Sequence, residues 1–312
     1  LESEDFAAAS TGYVRAKAIL DADLNGEAEA EAAGPVWVFS RQVFPVGTRS
    51  FSMPVEQPEL YAGRVLSVEE DHVLKLVGAL NISPDAGALH VEVLNGTSAG
   101  QLLHVTAVDG SRLQTLEKLP QGMAGARVAL RASQTLNRVL PAQLFVSGSS
   151  SEDSDRVLAY DAATNAFVPV THGADGWSTD LALLPGEAVL VQSRNQEVSA
   201  WIAGQLSEQA PRALPKIGTR FTGTRQVAPL SPARLGLGRQ EGFPASAEPA
   251  GAARLRLWKA DFDSAAEGYE SLYLHAWDAG TLWLREGDPL AQDMSAEPVL
   301  LPFHGFFLVQ PQ

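Results

Sequence analysis

Four sets of residues in this chain have types and spacings that could do chemistry. The run Asp21-Ala22-Asp23-Leu24-Asn25-Gly26 follows the first half of a calcium loop, where oxygen donors alternate and a glycine makes the sharp turn. The twelfth position, which closes such loops with a glutamate, is Ala32, and Glu31 falls one residue early. Asp21, Asp23 and Asn25, helped by Glu27 or Glu29, are the candidate ligands for a weakly held Ca²⁺; the competing reading is a polar insertion loop. Gly96-Thr97-Ser98-Ala99-Gly100 matches the G-x-S-x-G nucleophile elbow, which needs a strand before it and a long helix after it. Here the alternating run Gln101-Leu102-Leu103-His104-Val105 follows, so a glycine-rich hairpin loop is expected. His72, His90, His104, His172, His275 and His304 show no metal-binding or metalloprotease spacing. Trp37, Trp177, Trp201, Trp258, Trp277 and Trp283 could stack on sugar rings, or pack between sheets with each indole N–H satisfied.

Composition narrows the partners. Asp and Glu number 37 against 23 Lys and Arg, a net charge of −14 over 312 residues. Nucleic acid and anionic lipid both need a positive footprint, so neither is expected as a partner. The absence of cysteine excludes thiol catalysis and cysteine-ligated zinc. No apolar run approaches the 18 or so residues of a transmembrane helix. The first residue is Leu1, not Met, so either a signal peptide or a tag has been removed or the numbering covers only part of the protein.

These residues must be positioned by strands. An acidic, alanine-rich arm (1–10) precedes a strand at Tyr13–Leu20 and a loop from Asp21 to Pro35. Strands at Val36–Ser40 and Arg49–Val55 complete a segment, 1–58, expected to pack with the C-terminal sheets. Residues 59–132 read as a small SH3-like or OB-like barrel. Its strands are expected at Tyr61–Val68, Val73–Val77, Leu89–Leu94, Gln101–Val108, Arg112–Leu116 and Arg127–Arg131, with turn signals such as Asn95-Gly96 and Asp109-Gly110 between them. Residues 133–214 and 215–312 read as two β repeats. Arg156–Asp161 corresponds to Arg254–Asp261, and Leu183–Gln192 to Leu300–Gln310 with one extra residue. Pro215–Phe221 echoes Pro45–Phe51, which points to a barrel inserted into a repeated, sandwich-like antiparallel region. Helix is confined to single turns, at Pro232–Leu235 with Ser231 as its cap and after Ser133 through Gln134–Asn137. The fold class is therefore all-β.

Gly12-Tyr13-Val14, the spacing of glycines and Val-Thr-Ala between Val93 and Ala107, the closing run Leu183–Val191 and Leu235-Gly236-Leu237 together resemble an uncharacterised family of exported β-repeat proteins of verrucomicrobial and related bacteria. The resemblance implies export and no catalytic residues. The expected function is a structural or adhesive cell-surface protein, not an enzyme, that self-associates as a filament or surface-layer subunit. The alternatives are a carbohydrate-binding module that takes surface glycans and, third, a secreted hydrolase.

Overall fold

The computed structural model describes residues 11–20, 30–83, 87–148, 153–207, 218–258 and 268–311. The arm 1–10 and the calcium-loop residues Asp21, Asp23 and Asn25 lie outside them. Strand makes up 51% of the described residues and helix 5%, as alternation without helical periodicity predicts.

Strands β1 (Thr11–Leu20) and β2 (Ala30–Phe44) form a long antiparallel hairpin. The loop expected to reach Pro35 is shorter, because Ala30 already pairs with Leu20. Register slips between Arg15 and Lys17, so Gly34 and Pro35 together face Ala16. Such a bulge admits a proline, which has no N–H to give the ladder. Strands β3 (Gly47–Ser52) and β4 (Val55–Glu56) follow.

The chain then builds the barrel from β5 (Glu59–Glu70), β6 (Val73–Leu76), β7 (Leu89–Val93), β8 (Leu102–Asp109), β9 (Arg112–Thr115) and β10 (Arg127–Ala132). These six are the expected strands, and they close in the order β10-β5-β6-β9-β8-β7. Closure pairs every strand on both sides. The interior is aliphatic, with Val65, Leu74, Val91, Leu103, Leu113 and Val128 at its centre. Register shifts in β5 and β8 bend those strands around the corners.

Beyond the barrel come β11 (Gln134–Thr135), helix α1 (Leu136–Val139), β12 (Arg156–Asp161), β13 (Ala166–Gly173), β14 (Gly176–Trp177), β15 (Ala182–Leu183), β16 (Ala188–Ser193) and β17 (Val198–Leu206). The chain continues through β18 (Thr219–Gly223), β19 (Arg254–Trp258), β20 (Tyr269–Trp277), β21 (Gly280–Arg285) and β22 (Gly305–Val309). Two five-stranded sheets have matching strand order, β3-β16-β12-β13-β14 and β18-β22-β19-β20-β21. A four-stranded sheet, β1-β2-β17-β4, lies beside them. Strand β17 was not anticipated from the sequence; it pairs with β2 along eight residues and with β4 along two.

The sheets stack in layers. Val38, Phe44 and Ile202 of the four-stranded sheet pack on Val157, Val189 and Val191 of the first five-stranded sheet. On its other face Ala188 and Leu190 meet Phe221 and Phe307 of the second. Leu237 and Phe243 cover the far face of the second sheet at Leu255, Leu272 and Trp283.

Matching hydrogen bonds recur in the two five-stranded sheets. The Trp177 indole N–H donates to the Leu140 carbonyl at 2.7 Å, and that of Trp283 to Leu237 at 2.7 Å. Ser52 N–H reaches across to Phe303 O at 3.0 Å, while Gly223 N–H reaches back to Gly186 O at 2.7 Å. Ala188 pairs with Ser52 and Gly305 with Gly223, which places Gly186 and Phe303 at matching positions with no insertion between them. The extra residue expected in the second closing strand is therefore absent. Phe303 takes the left-handed backbone (φ 62°) that Gly186 takes at φ 83°. Two glycines let the sheets touch: a Cβ on Gly305 would fall 2.7 Å from that of Ala188, and one on Gly223 2.2 Å from that of Ser52.

Two local expectations change. Pro232–Leu235 is a turn, closed by Leu235 N–H on Ser231 O (3.1 Å) and ended at Gly236, φ 73°. The turn after Ser133 forms two residues later, as α1, because Asp180 accepts from Asn137 N–H at 2.8 Å and caps it from a distant loop. The C-terminal strand β22 lies inside its sheet, flanked by β18 and β19.

Candidate functional site: a buried ionic seam and an aromatic groove

Ser98 lies in a tight turn between β7 and β8, with Gly100 N–H on Val93 O at 2.7 Å and Gln101 N–H on Ser98 O at 3.0 Å. A strand follows it, and the helix an elbow requires is absent there. Of the six histidines, only His90 and His104 stand opposite each other in a ladder. Among the described residues, no group of three or more His, Asp or Glu is arranged to hold a metal ion. Trp177 and Trp283 are buried with their N–H groups bonded, whereas Trp201 and Trp277 are 53% and 58% exposed on different sheets.

The densest polar cluster joins the barrel to the sheets. Strand β7 alternates Leu89, Val91 and Val93 toward the barrel core with His90 and Glu92 on the outer wall. Across neighbouring strands His104, His90, Arg131 and Glu59 fall in one row on that wall. The sheets dock on this band, so Glu92 and His90 are as buried as the apolar residues between them. Arg225, which follows β18, inserts its guanidinium between Glu92, at 2.5 Å, and Glu56 of β4. Arg131 contacts Glu92 at 3.4 Å, Glu56 at 3.5 Å and the rim carboxylate of Glu59 at 2.8 Å. Arg131 also donates to Gln57 O at 2.9 Å, and Arg225 to Gly100 O at 3.2 Å. Two buried carboxylates thus balance two guanidinium groups, the condition under which charge survives burial.

Ionisation follows from that geometry. Burial raises the Glu92 carboxyl above its usual range, and the guanidinium groups of Arg225 and Arg131 pull it back only in part. Burial, with the charges of Arg225, Arg131 and His104, pushes His90 down to about 3. Its ring is therefore neutral, with Nδ1 3.0 Å from the Ser133 hydroxyl. Along the same band, His104 Nδ1 sits 2.6 Å from Glu117 of the barrel, and Nε2 sits 3.9 Å from Glu187 of the turn before β16. Burial works against protonation of His104, but the Glu117 hydrogen bond and the charges of Glu187 and Glu117 outweigh it and raise its pKa. His304 is pushed down to about 4 by burial and by the charge of Arg49.

The second feature is an open groove of about 570 Å³ where the two five-stranded sheets diverge. Tyr160, Phe167 and Phe307 form its aromatic wall, with ring centroids 5.3 to 6.0 Å apart. Arg254 and Arg256 line the groove on the Phe307 side, since β19 turns Leu255 into the core and the arginines to the opposite face, where Arg256 stands beside Phe307. Arg256 lies over the Tyr269 ring at 4.8 Å. Burial pushes Tyr269 up to about 12, against the opposing charge of Arg256, so the phenol stays neutral. A second recess of about 500 Å³ shares Ser271 and Glu286 with the first and extends it along β20.

Sequence reasoning missed both features. The R-L-R-L-W alternation shows that Arg254 and Arg256 share a face, but not that this face meets the rings of a second sheet. Comparison with protein-family models, with curated proteins and with solved structures finds no match to this chain. No helix among the described residues is long and apolar enough to cross a membrane.

Proposed function

We propose that this chain is an exported structural or adhesive protein of the cell surface, without catalytic activity, that presents binding faces from a stiff frame and associates with copies of itself. The observation that carries this reading is the ionic seam. Glu56, Glu92, Arg131 and Arg225 come from β4, β7, β10 and the segment after β18, and together they lock the barrel to the sheets. A buried ionic cluster adds little net stability over an apolar contact but can specify one docking geometry, which suits a part whose job is its shape. The matching strand orders support an internal duplication, the sort of construction that extends a frame. For self-association, β1 supports the reading: it is ten residues long and, among the described residues, pairs only with β2. A long free edge is a template for another strand.

Sedimentation and electron microscopy of the purified chain over a wide concentration range, with binding to whole cells and to cell-wall polymers, test this. A chain that stays monomeric throughout and adheres to none of them refutes it. A second reading, a carbohydrate-binding module, is favoured by the aromatic groove.

A further inference from the structure

We propose that the groove between the two five-stranded sheets binds an acidic glycan, a linear saccharide whose ring faces lie against Tyr160 and Phe167 and whose carboxylates pair with Arg254 and Arg256. The inference rests on the carbohydrate-binding reading and adds the chemical class of the sugar. Its first support is a difference between the two sheets. In the first, Arg156 pairs across the ladder with Gln192 and donates its Nε to that side chain at 2.5 Å. In the second, Arg254 holds the matching position, but the residue across the ladder is Val309. The Arg254 Nε is buried and has no hydrogen-bond partner. The position of Leu158 in the first sheet is that of Arg256 in the second, as the pairing of Leu158 with Leu190 and of Arg256 with Phe307 shows. The second sheet has thus placed two arginines, with Cα atoms about 7 Å apart along the strand, where the first has one satisfied arginine and a leucine.

The surroundings strengthen the case. The nearby Arg285 is occupied by Glu270 at 2.6 Å, whereas no carboxylate among the described residues pairs with Arg254 or Arg256. In a chain where acids outnumber bases 37 to 23, two neighbouring guanidinium groups with no carboxylate partner among the described residues, one of them lying over the Tyr269 ring, are a provision for an anion. The aromatic wall suits the C–H face of a pyranose, and Asn165, Thr219 and Ser271 offer polar groups to its hydroxyls. Glu286 also lines the groove; it is exposed, so water screens its charge, and it can accept from a sugar hydroxyl. The adjoining recess along β20 makes the site long enough for a chain rather than a single ring. An acidic peptide is less well matched. The floor strands β12, β19 and β22 are each paired on both sides and offer no free backbone.

The test is calorimetric titration of the full chain with oligogalacturonate, with the same oligomer methyl-esterified at its carboxyl groups, and with poly-L-glutamate. Oligogalacturonate is expected to bind, with the ester about tenfold or more weaker, as removal of a charge-assisted hydrogen bond implies, and with poly-L-glutamate weaker because it has no ring face to lay on the aromatic wall. Arg254→Gln and Arg256→Gln should each weaken the acidic oligomer about tenfold. Arg256 is exposed, so Arg256→Gln keeps the test decisive should Arg254→Gln fail to fold. Equal binding of ester and acid overturns the acidic class and leaves the carbohydrate reading standing. Equal binding of poly-L-glutamate shows a general polyanion surface and overturns the sugar. Unchanged affinity in Arg256→Gln overturns the groove as the site, and no binding of either oligomer removes both readings.

Discussion

Replacing Arg225 by methionine should do more than lower stability; it should uncouple the barrel from the sheets. The substitution keeps an unbranched apolar stem and removes the guanidinium that neutralises Glu92 and Glu56, whose residue exposures are 0% and 3%. Arg131 remains, at 3.4 and 3.5 Å, to serve both carboxylates. Losing one partner of a buried pair costs about 3–5 kcal/mol, most of it the desolvation of the charge left behind. For a folding unit of this size that is a fall in Tm of about 6–20 °C. The deficit should depend on pH. The Glu92 pKa is raised in the folded state, so between the unfolded and folded values the native chain retains a proton that the unfolded chain has released, and above them Glu92 is ionised in both. Stability from such a group falls as pH rises from the unfolded value through the folded one. Removing Arg225 raises the folded value further, so the deficit is smallest in acid and full above that window. The assay uses an accident of composition: all six tryptophans lie outside residues 59–132. Indole fluorescence therefore reports the sheets, while far-UV circular dichroism reports sheets and barrel together. In the parent the two probes should trace one urea transition; in Arg225→Met they should separate. Coincident transitions with a loss under about 0.5 kcal/mol, the size of an ordinary surface substitution, would refute the assignment of the seam as the docking device.

Other outcomes follow from the same geometry. Because the His104 pKa is raised when folded, its contribution is complete below the unfolded value near 6.5 and is lost as pH rises through the folded value. The parent should lose on the order of 1 kcal/mol or less across that rise, and His104→Gln should show a flat profile in urea melts. Trp177→Phe and Trp283→Phe each strand a buried carbonyl, of Leu140 and Leu237, and should each cost about 1–3 kcal/mol. A large cost at one and none at the other, read by calorimetry, would show that the matching bonds are not equivalent. Ser98→Ala should change stability by less than about 0.5 kcal/mol, and a fluorophosphonate should not label Ser98; labelling would contradict the turn assignment.

Much of the fold was readable locally. Leu89-His90-Val91-Glu92-Val93 alternates as a strand should, and the Asn95-Gly96 and Asp109-Gly110 pairs mark hairpins, so all six barrel strands could be placed within a residue or two in most cases. The same alternation misleads about exposure. Read alone, His90 and Glu92 face water; in the molecule another layer covers them. Strand β17 went unread because its pairing partners, β2 and β4, lie far back in the chain. The helical turn after Ser133 was displaced because its cap, Asp180, comes from elsewhere.

The sequence by itself determined the all-β class, the barrel strands, the turns and the acidic balance, because period-two alternation, turn chemistry and charge are properties of neighbours in the chain. Tertiary structure alone decided which outer wall of the barrel is buried, where Arg225 goes and what the two sheets enclose. Arg225 reaches carboxylates 133 and 169 positions away, and whether Arg254 is satisfied depends on the residue across a ladder, Val309 rather than glutamine. The physical reason is that a side chain's partner is chosen by packing and register between distant segments, and no local pattern encodes that choice.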